Sequence, residues 1–528
     1  MDREINLDSI RALEEQIQEH ERTIIQLKRT RNSLLNVSAL LPPEILGKIF
    51  HWNVIPDGDF GGLPKASHNF LLVCHHWFQV ASGTPGLWGF WGNSIQDWAR
   101  QHARYRTAPL DLVLDRHASG DLDDGLCNAL QDRATRDIIR RVHLNNANAE
   151  LLTSIVSSIT TKVEETRSNS VESFMLWNRS TSGGVDVSNF FSRYHLPKLR
   201  CLDLSGFFVS SWDLMKSRTT SLTSLWLTNC KKSPLPSLSQ MLSILSANPN
   251  LQSLKLSHGS IPDVHGDRSS SQIQLPHLKT LNLESSLHRV FGLLNRLELP
   301  DKMDDLSLVL PDYPPSHFSQ TVGPYLGDHV RRRSSDRLRL AIAPYQNHFW
   351  VKVGDACEGR PTWGWFVAME GHLGYMPMEK QEEADNLCFN IIAHIPPGNI
   401  LELTTTTLPI LRSGELCIRM CNLTHLHLGG VKLSEWFVEP EIPEPYVFKD
   451  ILPRLRSISI ISVDLCGGDW SPLTNFLARR AAVGNRISSL MFHGHPPMDE
   501  GVVESIRRAV DVLERPEDRS DDESGDDC

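Results

Sequence analysis

A six-residue pattern, L-x-x-L-x-L, returns along most of this chain. It stands as LPKLRCLDL (Leu199, Leu202, Leu204), SLTSLWL (Leu222, Leu225, Leu227), NLQSLKL (Leu251, Leu254, Leu256) and HLKTLNL (Leu278, Leu281, Leu283). Looser copies carry Val142, Phe174, Leu306, Leu338, Leu403, Leu426, Ile458 and Leu490 at the middle apolar position. Successive copies lie 23–32 residues apart, with one gap of 65 between Leu338 and Leu403. That gap has room for a further copy within 345–395. The alternation of apolar and polar residues puts the leucines on one face of a short strand. No copy can bury that face alone, so the copies have to stack into a parallel sheet, with the connecting segments outside it. One connecting segment, SLSQMLSILSAN, has helical spacing.

The period and pattern resemble leucine-rich repeats. The chain departs from the tidy form of that family. The Asn or Cys that usually follows the third leucine is matched only at Cys230, repeat lengths vary, and 312–395 carries long loops. The expectation is an irregular solenoid over 105–510. Residues flanking each middle leucine should face outward on its open side, and these supply the candidate target-binding set Asp203, Trp226, Lys255, Asn282, His425 and His427. Trp226 reads either as an interface anchor or as a side chain packed under a neighbouring loop.

Residues 5–36 read as one amphipathic helix. Ile10, Leu13, Ile17, Ile24, Leu27 and Leu34 fall on the a/d seam of a heptad, with His20 at a d and Arg31 at an a position. Two readings stay open: a weak coiled coil, or a single helix lying on its own protein.

Two short stretches follow. In LLPPEILGKIFHW, Pro42 and Pro43 suit a helix start, and Ile45, Leu46, Ile49 and Phe50 make one apolar stripe. In NFLLVCHHWFQVAS, Phe70, Val73, Cys74, Trp77 and Val80 share a side, and the segment ends at the turn GTPGLWGFW. Together and in this order they resemble an F-box, especially the F-box-like modules of fungal proteins. The resemblance covers about 50 residues within 38–92. Leu41, Pro42, Glu44, Ile45, Leu46, Ile49 and Phe50 match its first helix; Val73, Cys74 and Trp77 match its VC..W helix; Pro85, Leu87 and Trp88 match its closing turn. The 51–69 loop is longer than in the compact module. The resemblance implies a substrate receptor that docks a Skp-family adaptor of a cullin–RING ubiquitin ligase, with an unknown protein target held by a second domain. It assigns adaptor binding to Leu41, Pro42, Pro43, Ile45, Leu46, Ile49, Phe50, Val73, Cys74 and Trp77.

The 528 residues allow three to four units, or one repeat array with an appendage. A formal net charge of −10 weighs against a general nucleic-acid binder. The acidic stretch 511–528 reads as a disordered tail. Ten cysteines at scattered spacings, no apolar leader and no apolar window of membrane length point to a reducing compartment, cytosol or nucleus, and to no membrane. The sequence has no phosphate-binding glycine loop, G-x-S-x-G elbow or H-E-x-x-H, so neither an enzyme nor a cofactor is expected. Cys417, Cys421, His425 and His427 are the nearest to a metal cluster, at a spacing unlike a zinc finger's. HVRRRSSDR (329–337) is a basic run that most simply reads as a solvated loop, and PTWGWFVAME reads as a repeat strand. The expected architecture is therefore α/β: a long N-terminal helix and a small all-α F-box-like module, followed by an irregular leucine-rich-repeat solenoid. The expected function is that of a non-enzymatic ligase receptor. The alternative is a repeat scaffold whose F-box-like helices only cap the array.

Overall fold

The computed structural model describes residues 7–35, 41–54, 73–84, 87, 90–91, 110–115, 138–145, 171–178, 186–188, 191, 196–230, 234–257, 259–263, 272–300, 303–310, 324–325, 327–328, 331, 338–345, 348–355, 392–405, 414–429, 437, 446–461, 469–493 and 498–514. The chain divides into two compact units, Met1–Leu202 and Asp203–Cys528.

The first unit opens with α1 (Leu7–Leu35), α2 (Pro43–Val54) and α3 (His75–Ser82). Four parallel strands follow: β1 (Phe90–Trp91), β2 (Leu110–Asp115), β3 (Ile139–Asn145) and β4 (Ser173–Trp177). Leu112, Val142 and Phe174 stand opposite one another on adjacent strands, and all three are buried. Along α1 the described side chains, 12–31, are all exposed. These exposed positions include the seam residues Leu13, Ile17, Ile24 and Leu27.

The division between the units falls inside β5 (Cys201–Ser205). In the second unit α4 (Trp212–Arg218) precedes β6 (Ser224–Thr228), then α5 (Leu238–Ser246), β7 (Ser253–Ser257), β8 (Ile273–Gln274), β9 (Thr280–Glu284), α6 (Leu287–Leu294), β10 (Leu297–Glu298) and β11 (Asp305–Leu310). Next come β12 (Leu338–Tyr345), β13 (His348–Asp355), β14 (Ile400–Thr405), α7 (Gly414–Arg419), β15 (His425–Gly429), β16 (Ser457–Ile461), α8 (Ser471–Ala482), β17 (Ile487–His493), α9 (Glu500–Ala509) and β18 (Val510–Glu514). Strands β6, β7, β9 and β11 are parallel, as are β12, β14, β15, β16, β17 and β18. Between these runs stands β13, antiparallel to both β11 and β12. Strands β8 and β10 form a separate parallel pair.

The middle residues of the hexads lie in register. Leu225, Leu254, Leu281 and Leu306 make one buried row, and Leu403, Leu426, Ile458 and Leu490 another. On β12 it is Leu340, not Leu338, that stands opposite Leu403, because the register shifts after Leu338. Helix α5 packs against α4 and β8 with Leu238, Met241, Leu242, Ile244 and Leu245 buried, and a Ser237–Gln240 capping box satisfies its first turn. Gly259 (φ +83°) follows β7, and a Cβ there would collide with the Cys230 carbonyl oxygen. Only glycine accommodates both demands.

These findings correct the expected architecture. The fold is α/β around parallel strands with few helices, not a small all-α module followed by a leucine-rich-repeat solenoid. Strand β1 lies inside the stretch expected to be all-α, where aromatic Phe90 and Trp91 pair with β2. Within 345–395 the described strand is β13, which runs the opposite way and interrupts the parallel order that stacked repeats require, while 356–391 lie outside the described residues. At the C-terminal end, 511–514 of the stretch expected as tail belong to β18, paired with β17. The rest of that stretch lies outside the described residues.

Buried polar side chains tie the connections together. Asn248 donates to the carbonyls of Thr219 and Ile244 and accepts from the Leu222 amide. Arg480 on α8 is fully buried, and its guanidinium donates to the carbonyls of Asn485, Ile451, Leu452 and Leu455 at 2.8–3.2 Å. One of these, Leu452, sits at φ +43°. Burial lowers the Arg480 pKa to about 10, which leaves the group charged near neutrality. A planar fork can reach several turns at once, whereas an ammonium cannot. Arg480→Met should cost about 3 kcal/mol or more, because several carbonyls lose a charged donor inside the fold. Chemical denaturation checks this, and Arg480→Lys should not restore the loss.

Candidate interaction sites

The α2–α3 pair is built around its own small core. The Pro42 carbonyl accepts from the amides of Ile45 and Leu46, so the two prolines start α2 without losing a needed donor. Leu46 and Phe50 point inward against Val80, Ala81 and Leu87, with Leu41 and Trp77 packed at the margin. The Phe50 and Trp77 rings are 5.0 Å apart at 59°. Gly47 allows close approach: a Cβ there would sit 3.1 Å from Thr84 Oγ1, which itself donates to the Val80 carbonyl.

This arrangement sorts the ten candidate adaptor-binding residues. Pro42, Pro43, Ile45 and Val73 are exposed; Leu41, Ile49, Cys74 and Trp77 are partly buried; Leu46 and Phe50 are core. Phe78, 49% exposed on α3, is a further apolar residue at the surface. The sequence reading missed it because it follows Trp77 directly and lies off the stripe through Val73, Trp77 and Val80.

On the sheet of the second unit, Trp226, Lys255 and Asn282 occupy matching positions on β6, β7 and β9. Trp226 Nε1 donates to Ser253 Oγ at 2.9 Å, and Lys255 Nζ lies 5.6 Å from the centre of the Trp226 ring. This is cation–π range, and it fixes the indole as part of a half-buried platform. Asp203 does not share that exposure: it is buried, against the expectation of an outward-facing residue.

His425 and His427 stand on β15 beside a buried ion pair that sequence reasoning missed. Arg339 Nε on β12 donates to Glu402 Oε2 on β14 at 2.7 Å. His427 Nε2 lies 2.9 Å from Glu402 Oε1, so Glu402 bridges its two neighbours. Burial pushes the Glu402 pKa up, but the hydrogen bonds and charges of His427 and Arg339 outweigh it and hold the group at about 2. His425 is exposed, and its pKa is lowered, first by partial burial. The only signal for this cluster was a lone carboxylate in the apolar run NILELT.

Cys417 and Cys421 do not join the histidines. Cys417 is fully buried, and burial pushes its thiol up to about 12, while Cys421 is exposed. Among the described residues no three His, Cys, Asp or Glu side chains converge as metal ligands. Of the basic run, only Arg331 is described, paired with Asp328. PTWGWFVAME lies outside the described residues. Among those residues no helix is long and apolar enough to cross a membrane.

The Glu402 value fixes a pH dependence. Its folded pKa of about 2 lies below the ordinary 4.5, so its contribution is complete above 4.5 and is lost as pH falls toward 2. The difference corresponds to about 3 kcal/mol. Urea unfolding at neutral pH and at pH 3 should show Glu402→Gln less stable at neutrality, with a shallower loss on acidification than the parent. The chain matches no protein-family model and no curated protein.

Proposed function

We propose that the chain is the target-recognition subunit of a Skp–cullin–F-box ubiquitin ligase, working in the cytoplasm or nucleus. The α2–α3 pair docks the Skp-family adaptor, and the polar sheet face carrying Trp226, Lys255 and Asn282 takes a protein target. The observation that carries this reading is the division of labour in the helical pair. Leu46, Phe50, Val80, Ala81 and Leu87 close a core, while Pro42, Pro43, Ile45, Val73 and Phe78 remain exposed. A short helical pair that spends only part of its apolar surface on itself has the form of a docking element. The alternative, in which the helices only cap the body, would be favoured by Ile45, Leu46, Ile49 and Phe50 buried against 100–150, and Ile45 is 42% exposed. Under this proposal ubiquitin chemistry belongs to partner subunits, and the chain itself needs neither cofactor nor catalytic residue.

Pull-down with purified Skp-family adaptor tests the assignment. The parent should bind, and Ile45→Glu with Val73→Glu should weaken binding at least about tenfold, as expected for anchors at an interface centre. Leu41→Ala with Pro42→Ala should act in the same direction. Circular dichroism should be unchanged for the exposed-residue variants, whereas Phe50→Ala should unfold the pair. No adaptor binding by the parent would overturn the proposal, and undiminished binding by Ile45→Glu/Val73→Glu would overturn the interface.

A further inference from the structure

Helix α1 is 29 residues long, and the described apolar residues of its seam are exposed. Leu13, Ile17, Ile24 and Leu27 are 58%, 56%, 50% and 65% exposed. Helices in water owe most of their stability to packing of an apolar face, so a seam of this length calls for a partner outside the described residues of its own chain. The sequence specifies the kind of partner. Its period is 3.5 residues, which is the supercoiling period rather than that of a globular surface helix. The a positions carry Ile10, Ile17 and Ile24, and the d positions Leu13, Leu27 and Leu34. β-Branched residues at a with leucine at d favour two parallel strands.

We infer that α1 pairs with α1 of a second copy of this chain as a parallel, in-register two-stranded coiled coil. Flanking charges permit self-pairing. In this register Glu14, Glu21 and Lys28 at e positions face Ser9, Gln16 and Thr23 at the g positions of the second copy, so no like charges meet between these flanking positions, and the one like-charge layer is Arg31 against Arg31 of the second copy. Arg31 at an a position and His20 at a d position weaken the seam, and such polar residues fix register and strand number at a cost in stability. This inference is independent of the adaptor reading.

Two measurements on the full chain test it. Sedimentation equilibrium at micromolar concentration should give twice the 59.6 kDa of one chain, and Ile17→Asp with Ile24→Asp should return the mass to that of one chain. Leu27→Cys then tests the orientation. In the parallel pair the two residues 27 face each other, and mild oxidation should link them, as mapped by mass spectrometry. In an antiparallel pair with Leu27 opposite Ile17 they stand about 15 Å apart, beyond disulfide reach. A monomeric parent, including one that associates only with a different protein, would overturn the inference. A dimer in which residue 27 does not link would overturn the parallel register.

Discussion

Everything in the second unit depends on the register of its strands. A strand shifted by one residue would turn its leucines from the core to the solvent and its serines and histidines from solvent to core. Rows such as Leu225–Leu254–Leu281–Leu306 hold because each strand start is also pinned. The Thr223 carbonyl accepts from both the Gln252 and Ser253 amides, Gln252 does the same for Lys279 and Thr280, and Arg456 for Ser488 and Ser489. Apolar burial supplies the driving force, and these shared acceptors fix the position along the strand.

Two charged side chains inside the second unit meet different demands. Arg480 directs its hydrogen bonds to carbonyl oxygens, with the Phe476 ring beneath its guanidinium, and serves the backbone, neutralising turn ends that leucine side chains cannot reach. Glu402 serves neighbouring side chains, drawing Arg339 and His427 onto one carboxylate across three strands. In both cases a fully satisfied geometry is what makes burial of the charge tolerable, and removal of one member leaves the others exposed to the desolvation cost.

Much of the strand content was legible because a period-two pattern reads directly as a half-buried strand. All twelve hexads fall on strands, and the helical spacing of SLSQMLSILSAN became α5. Direction was not legible: HFWVKVGD alternates as well as any parallel copy, and nothing in its composition says that it runs backwards. Short β1 and β18 escaped because two to five residues carry too little periodicity against an aromatic turn or an acidic tail. For the helical pair, the stripe through Ile45, Leu46, Ile49 and Phe50 was visible, but a stripe does not say which side faces inward. Burial of Asp203 could not be read from its flanking residues, and the Arg339–Glu402–His427 cluster joins residues 63 and 25 apart in the sequence.

The reversed strand has a consequence for how the second unit is assembled. Tyr345 pairs with His348, so β12 and β13 meet across the shortest closure in the unit. Each parallel pairing instead requires a crossover of a dozen residues or more, with a larger loss of chain entropy before any contact is gained. The hairpin is thus the cheapest ordered piece to make, and it presents two free edges, one to β11 and one to β14. Growth of the unit can start in its middle and proceed toward both ends, instead of travelling from one terminus to the other.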